Sequence, residues 1–116
     1  MNVVLFCHSL VSDWNHGNAH FLRGLVRELQ DLGHGVAVWE PADGWSRRNL
    51  VREAGPRGLA AFRRAYPSLR SRTYDLATLD LERVLEGADL VLVHEWSAPE
   101  LVARLGEHRA RGGAYR

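Results

Sequence analysis

The sequence predicts an α/β fold built on a small parallel sheet, and three observations carry that prediction. Val3-Val4-Leu5-Phe6-Cys7 and Leu90-Val91-Leu92-Val93 are short runs that are apolar at every position, as expected of strands covered on both faces. Between the first run and a second one, Val36-Ala37-Val38-Trp39, apolar residues recur at helical spacing. Strand, helix and strand within about 40 residues form a right-handed βαβ unit, which makes the first two strands parallel neighbours.

Each element has a local cause. The first helix carries an apolar stripe of Leu22, Leu25, Val26, Leu29 and Leu32, with Arg23, Arg27, Glu28 and Asp31 on the opposite side. Gly33 suits a left-handed C-cap, and Pro41 stops the second strand. From Ala42 to Asp80 the pattern is less regular. Ser46 is placed to cap a helix through about Ala54, which Pro56 breaks. Gly58 to Tyr66 reads as a second helix that buries Leu59, Phe62 and Ala65, and Ser68 to Tyr74 reads as a loop with scattered arginines. This region is expected to be a helical insertion decorating one end of the sheet. Leu81, Val84 and Leu85 mark a short helix stopped at Gly87, and Leu90 to Val93 is the third strand. Ser97 with Glu100 has capping-box spacing, and Pro99 fits a first turn. The helix from Ala98 to Arg109 would bury Leu101, Val102 and Leu105 and end at Gly112-Gly113, where a further strand is due. The expected architecture is a single domain over residues 1–116. It is a three-layer sandwich with strand order 2-1-3, read as the front part of a longer protein.

Composition narrows the function classes. A net charge of +1 makes no case for nucleic acid, which needs a concentrated basic face. All 15 basic residues are arginine, so lysine chemistry such as a Schiff base is absent. No stretch reaches the ~20 apolar residues of a membrane span, and no secretion signal opens the chain. One cysteine excludes an internal disulfide and suits a reducing, cytoplasmic setting.

In a parallel sheet the residues just past each strand's C-terminus share one edge, where α/β proteins place ligands. Those residues are His8, Trp14, Asn15, His16, Gly17 and Asn18 after the first strand. Trp39, Glu40, Asp43 and Trp45 lie at or after the second, and His94, Glu95 and Trp96 after the third. Tryptophan offers a flat face to a sugar ring, and carboxylates and amides bond hydroxyls. The tryptophans equally suit a structural role as plugs at the top of the core. Gly17-Asn18 opens a helix, where backbone N–H groups attract anions, although the GxGxxG fingerprint of dinucleotide sites is missing. His94-Glu95 can serve as base, hydroxyl donor or orienter, and His94 can equally bond a neighbouring loop. His16 and His20 straddle the helix start, and no metal site is expected there.

The runs Leu32-Gly33-His34-Gly35-Val36, Ala88 to Glu95 and Ala98-Pro99-Glu100-Leu101 resemble the Rossmann-like N-terminal domain of GT-B glycosyltransferases. His8 to Gly24, HSLVSDWNHGNAHFLRG, is similar to the CgeB-like, spore maturation-type branch of the bacterial enzymes. The resemblance covers most of the chain outside 44–75. It implies that this domain shapes the acceptor side of a cleft, while a C-terminal domain holds the nucleotide-sugar donor without a required metal or cofactor. It implies that the acceptor is a sugar, lipid or small molecule. It brings the first loop toward the donor and His94 to the reacting sugar; with the edge residues above, the candidates at the reacting groups are His94, Glu95 and His16, and those along donor and acceptor are His8, Trp14, Asn15, Gly17, Asn18, Trp45 and Trp96. It also implies that the chain alone is inactive. The lone Gly17 departs from relatives with a Gly-Gly pair in the first loop. The alternative is a stand-alone flavodoxin-like ligand-binding or signalling module. Cys7-His8 and His94-Glu95 stand where a phosphoryl receiver needs acids, and Ser9 and Ser12 make a poor flavin phosphate loop. A hydrolase lacks a G-x-S-x-G elbow.

Overall fold

The computed structural model describes residues 1–12 and 17–116. Along the chain run β1 (Asn2–Phe6), α1 (Asn18–Asp31), β2 (Gly35–Pro41), α2 (Trp45–Ala54), α3 (Pro56–Ala65), β3 (Ser71–Tyr74), α4 (Leu81–Val84), β4 (Leu90–Val93) and α5 (Pro99–Ala110). All strands pair in parallel in the order β3-β2-β1-β4. β1 sits between β2 and β4, with Val3 opposite both Val36 and Leu90.

The three expected strands thus have the expected neighbours, but the order 2-1-3 is incomplete. A fourth strand, Ser71–Tyr74, lies beside β2 within the segment read as a loop. Its residues, Ser-Arg-Thr-Tyr, contain no apolar run, because an edge strand of four residues is covered on one side only and carries charge on its open flank. The middle of the chain is therefore no end decoration. β2, α3 and β3 form a second βαβ unit, and α2 alone is extra. The order 3-2-1-4 is that in which classic doubly wound dinucleotide-type sheets begin, and it departs from the flavodoxin-like order 2-1-3.

Alternate residues of β1, with Cys7 just after it, feed two cores. Leu5 and Cys7 meet Leu22 and Val26 of α1, Phe62 of α3 and Leu69. Val4 and Phe6 meet Tyr74, Leu81, Leu85, Leu101, Leu105 and Tyr115, on the side of α4 and α5. Helices on both faces of one sheet make the three layers. Gly33 takes the left-handed conformation expected of it, φ 83°.

Several boundaries and faces differ from expectation. α2 begins at Trp45 after Gly44, without a side-chain cap from Ser46, and α3 begins at Pro56, whose missing N–H costs nothing in a first turn. The Ser97–Glu100 capping box does not form. Ala98 is the N-cap, and the buried Ser97 Oγ has no hydrogen-bond partner among the described residues. Leu32 and Val102, expected in the core, are exposed, whereas Arg23, expected in solvent, is buried. Beyond α5, the Arg116 N–H donates to the Asp89 carbonyl at 3.0 Å and its own carbonyl accepts from the Val91 N–H at 2.8 Å, the pattern of a parallel bridge to β4.

Candidate functional site

The chain reverses its direction of travel across the sheet at β1. After β1 it moves outward through β2 and β3, and then returns to place β4 on the other side of β1. α1 leaves β1 toward one face and α5 leaves β4 toward the other. The loops after β1 and β4 therefore flank the switch point, where open α/β sheets bind ligands.

Two histidines meet there. The His8 ring lies 5.2 Å from the His94 ring and 5.6 Å from the Trp96 ring, centroid to centroid, so the residues after β1 and β4 form one aromatic group. His8 is nearly buried, His94 is half-buried and Trp96 is 55% exposed, which grades the group from core to solvent. The backbone fixes His94: its N–H donates to the Phe6 carbonyl at 2.8 Å and its carbonyl accepts from Ser97 N–H at 3.0 Å. Its Nδ1 accepts from the Trp96 N–H at 3.4 Å. A neutral imidazole that accepts at Nδ1 carries its proton on Nε2 and presents a donor there.

The first loop is held from below by charge. Glu40, expected as an edge carboxylate for ligand hydroxyls, lies inside β2 with 0% exposure. Its Oε2 accepts from the Leu10 N–H at 2.6 Å, and its Oε1 is ion-paired with Arg47 of α2. It therefore clamps loop, strand and helix together and is not open to a ligand. Burial and the nearby Glu40 carboxylate push the Cys7 thiol far above its ordinary range, so it stays protonated. Arg23 reaches from α1 to donate Nε–H to the Leu10 carbonyl at 2.9 Å and a terminal N–H to the Val11 carbonyl at 3.2 Å, with its guanidinium over the Phe62 and Tyr66 rings. Ser12 Oγ donates to the Ser46 carbonyl at 2.9 Å, and Ser46 Oγ donates to Ser12 Oγ at 3.0 Å. Ser9 and Ser12 are fully buried and serve the loop itself, leaving neither for a phosphate.

The other expected site residues separate. Trp14, Asn15 and His16 lie outside the described residues. Glu95 is exposed beside His94. Gly17 caps α1 at φ −83°, and a Cβ there would meet nothing within 4 Å, so no close backbone approach requires glycine. Asn18 is half-buried at the first position of α1. Trp45 is 48% exposed at the start of α2. Trp39 packs against the core with the Arg72 guanidinium 5.6 Å from its ring, a structural placement. No sequence pattern marks Gly44. A Cβ there would lie 3.3 Å from both the His8 and Pro41 carbonyl oxygens, so α2 begins hard against the His8 backbone. An acid inside the apolar run Val36 to Pro41 was the one visible sign that Glu40 needed a buried partner.

Among the described residues no helix is long and apolar enough to cross a membrane. Comparisons with protein-family models, curated proteins and solved structures return no match.

Proposed function

We propose that the chain is the acceptor-side, Rossmann-like domain of a glycosyltransferase that moves a sugar from a nucleotide-sugar donor to a sugar, lipid or small-molecule acceptor. The observation that supports this reading is the His8–His94–Trp96 group at the switch point between β1 and β4. A half-exposed indole gives a sugar ring its apolar platform. The His94 Nε2–H donates to a hydroxyl of the transferred sugar or to the leaving phosphate oxygen, and the Glu95 carboxylate follows it in the chain. His8 backs the imidazole and fixes the ring plane. On this reading the donor's nucleotide is held by a second domain, the chain alone does not turn over, and the setting is cytoplasmic. The resemblance in His8–Gly24 and Ala88–Glu95 supplies the reaction class. The sheet order weighs against the flavodoxin-like alternative.

The test uses the protein translated from the whole native reading frame. Titration with UDP-, GDP- and dTDP-sugars is expected to give saturable binding of one of them, with slow donor hydrolysis. His94→Ala is expected to lower turnover by about 10²-fold with an unchanged circular dichroism spectrum, the size of a positioned proton donor's contribution. Failure of all three donors to bind ends the transferase reading. Unchanged turnover in His94→Ala returns that residue to a structural role.

A further inference from the structure

Charge is unevenly distributed along this nearly neutral chain. Residues 44–74 contain eight arginines and a single acid, Glu53, so this segment carries +7 while the rest of the chain carries −6. The segment folds as α2, α3 and β3 on one side of the sheet. Between α3, Val11 of the first loop and the start of β3 lies a cavity of about 380 Å³. That volume is at the lower end of small-molecule sites.

The cavity wall has two kinds of surface. Phe62 and Tyr66, with ring centroids 5.3 Å apart, and Leu59 give it an apolar side. Arg63 and Arg70, both exposed, line it with no acidic partner among the described residues. Arg47 also lines it, but its charge is offset by Glu40. Arg72 lines it too, but its guanidinium lies over the Trp39 ring, 5.6 Å from the centroid. Two guanidiniums without acidic partners beside a ring-lined wall give this lining a net positive charge. That charge favours a dianion, and each planar fork can take two phosphate oxygens.

We propose that this cavity is a binding site for a small phosphomonoester with a ring-shaped body, of hexose-phosphate size. Arg63 and Arg70 grip the phosphate, the Phe62–Tyr66 wall covers the ring, and the surrounding positive segment draws the anion in. The site is separate from the His8–His94–Trp96 group and does not depend on the transferase reading.

Isothermal titration of the intact chain with glucose 6-phosphate, inorganic phosphate and glucose tests it. Glucose 6-phosphate is expected to bind, inorganic phosphate to bind more weakly and glucose not at all, with affinity falling as salt rises. Arg63→Gln and Arg70→Gln are each expected to weaken glucose 6-phosphate binding by about tenfold or more, as loss of a charge-assisted hydrogen bond does. Both side chains are exposed, and unchanged circular dichroism verifies that the variants fold. Arg109→Gln, on α5, is expected to leave affinity unchanged. Absence of glucose 6-phosphate binding at millimolar concentration overturns the proposal, as does equal loss in Arg109→Gln. Equal affinity for inorganic phosphate overturns the claim of a ring-bearing ligand. Binding of a single-stranded oligonucleotide or of anionic vesicles in place of the hexose phosphate overturns it in favour of a surface that reads extended polyanions.

Discussion

Replacing Arg47 by alanine strands a buried carboxylate, and the cost of that follows from the geometry. Glu40 has 0% exposure, and its two oxygens are spent on the Leu10 N–H and the Arg47 guanidinium. Removing one member of a buried ion pair costs about 3–5 kcal/mol because the other charge stays behind without its partner. The Arg47 side chain is 20% exposed, so some water follows into the space it vacates, and the expected cost falls to about 2–3 kcal/mol. At about 4 °C per kcal/mol for a domain of this size, the melting midpoint drops by about 8–12 °C. In a Glu40→Gln background the amide still accepts from Leu10 N–H but has no charge to strand. Adding Arg47→Ala there costs less than about 1 kcal/mol. The four proteins of this cycle, unfolded in urea and followed by circular dichroism, therefore give a coupling of at least about 1 kcal/mol. An Arg47→Ala cost that is the same in both backgrounds refutes the buried-charge reasoning.

Alkaline pH should loosen the fold. Burial first and the Glu40 charge second push the Cys7 thiol up, and burial pushes the Tyr74 hydroxyl up to about 12. Both groups keep protons in the folded chain that the unfolded chain releases. Stability is therefore complete below about pH 8.5 and falls by up to about 1.4 kcal/mol per pH unit for each group above its unfolded value. A flat urea midpoint from pH 8 to 11 would contradict this, and Cys7→Ala is expected to remove the earlier part of the slope. Ser97→Ala should leave stability within about 0.5 kcal/mol, since the Ser97 side chain caps nothing, and a loss of about 1 kcal/mol in thermal melts would restore the capping box. Gly44→Ala should cost about 1–3 kcal/mol through its contacts with two carbonyl oxygens, while Gly17→Ala should be neutral within about 0.5 kcal/mol. Equal effects at the two glycines would remove the close approach of α2 to His8 from the account.

What the sequence disclosed, and what it hid, depended on how local the cause was. Val3–Cys7 and Leu90–Val93 announce themselves because strands covered on both faces must be apolar throughout. His8 and His94 were placed together by strand direction alone, since both follow parallel strands at the same edge. Ser71–Tyr74 carries no apolar pattern because, among the described residues, it pairs with β2 alone at the edge of the sheet. Arg23 was misplaced for a similar reason. A helical wheel puts it in solvent, but its partners are the carbonyls of Leu10 and Val11, reachable only once the first loop has folded back on α1. Glu40 was visible as a residue and misread as a role, because the position of Arg47 across from it is a property of the tertiary fold.

The central place of β1 also sets a timetable. Its backbone is paired on one side with β2, about 33 positions downstream, and on the other with β4, about 87 positions downstream. At synthesis rates of about 5–20 residues per second, roughly 3–10 s separate the completion of β2 from that of β4. Throughout that interval the nascent Val3–Cys7 segment keeps one flank open, with apolar side chains on both of its faces. The strand that anchors the finished molecule is thus open to aggregation during its birth, and slower elongation between residues 41 and 93 lengthens the exposure.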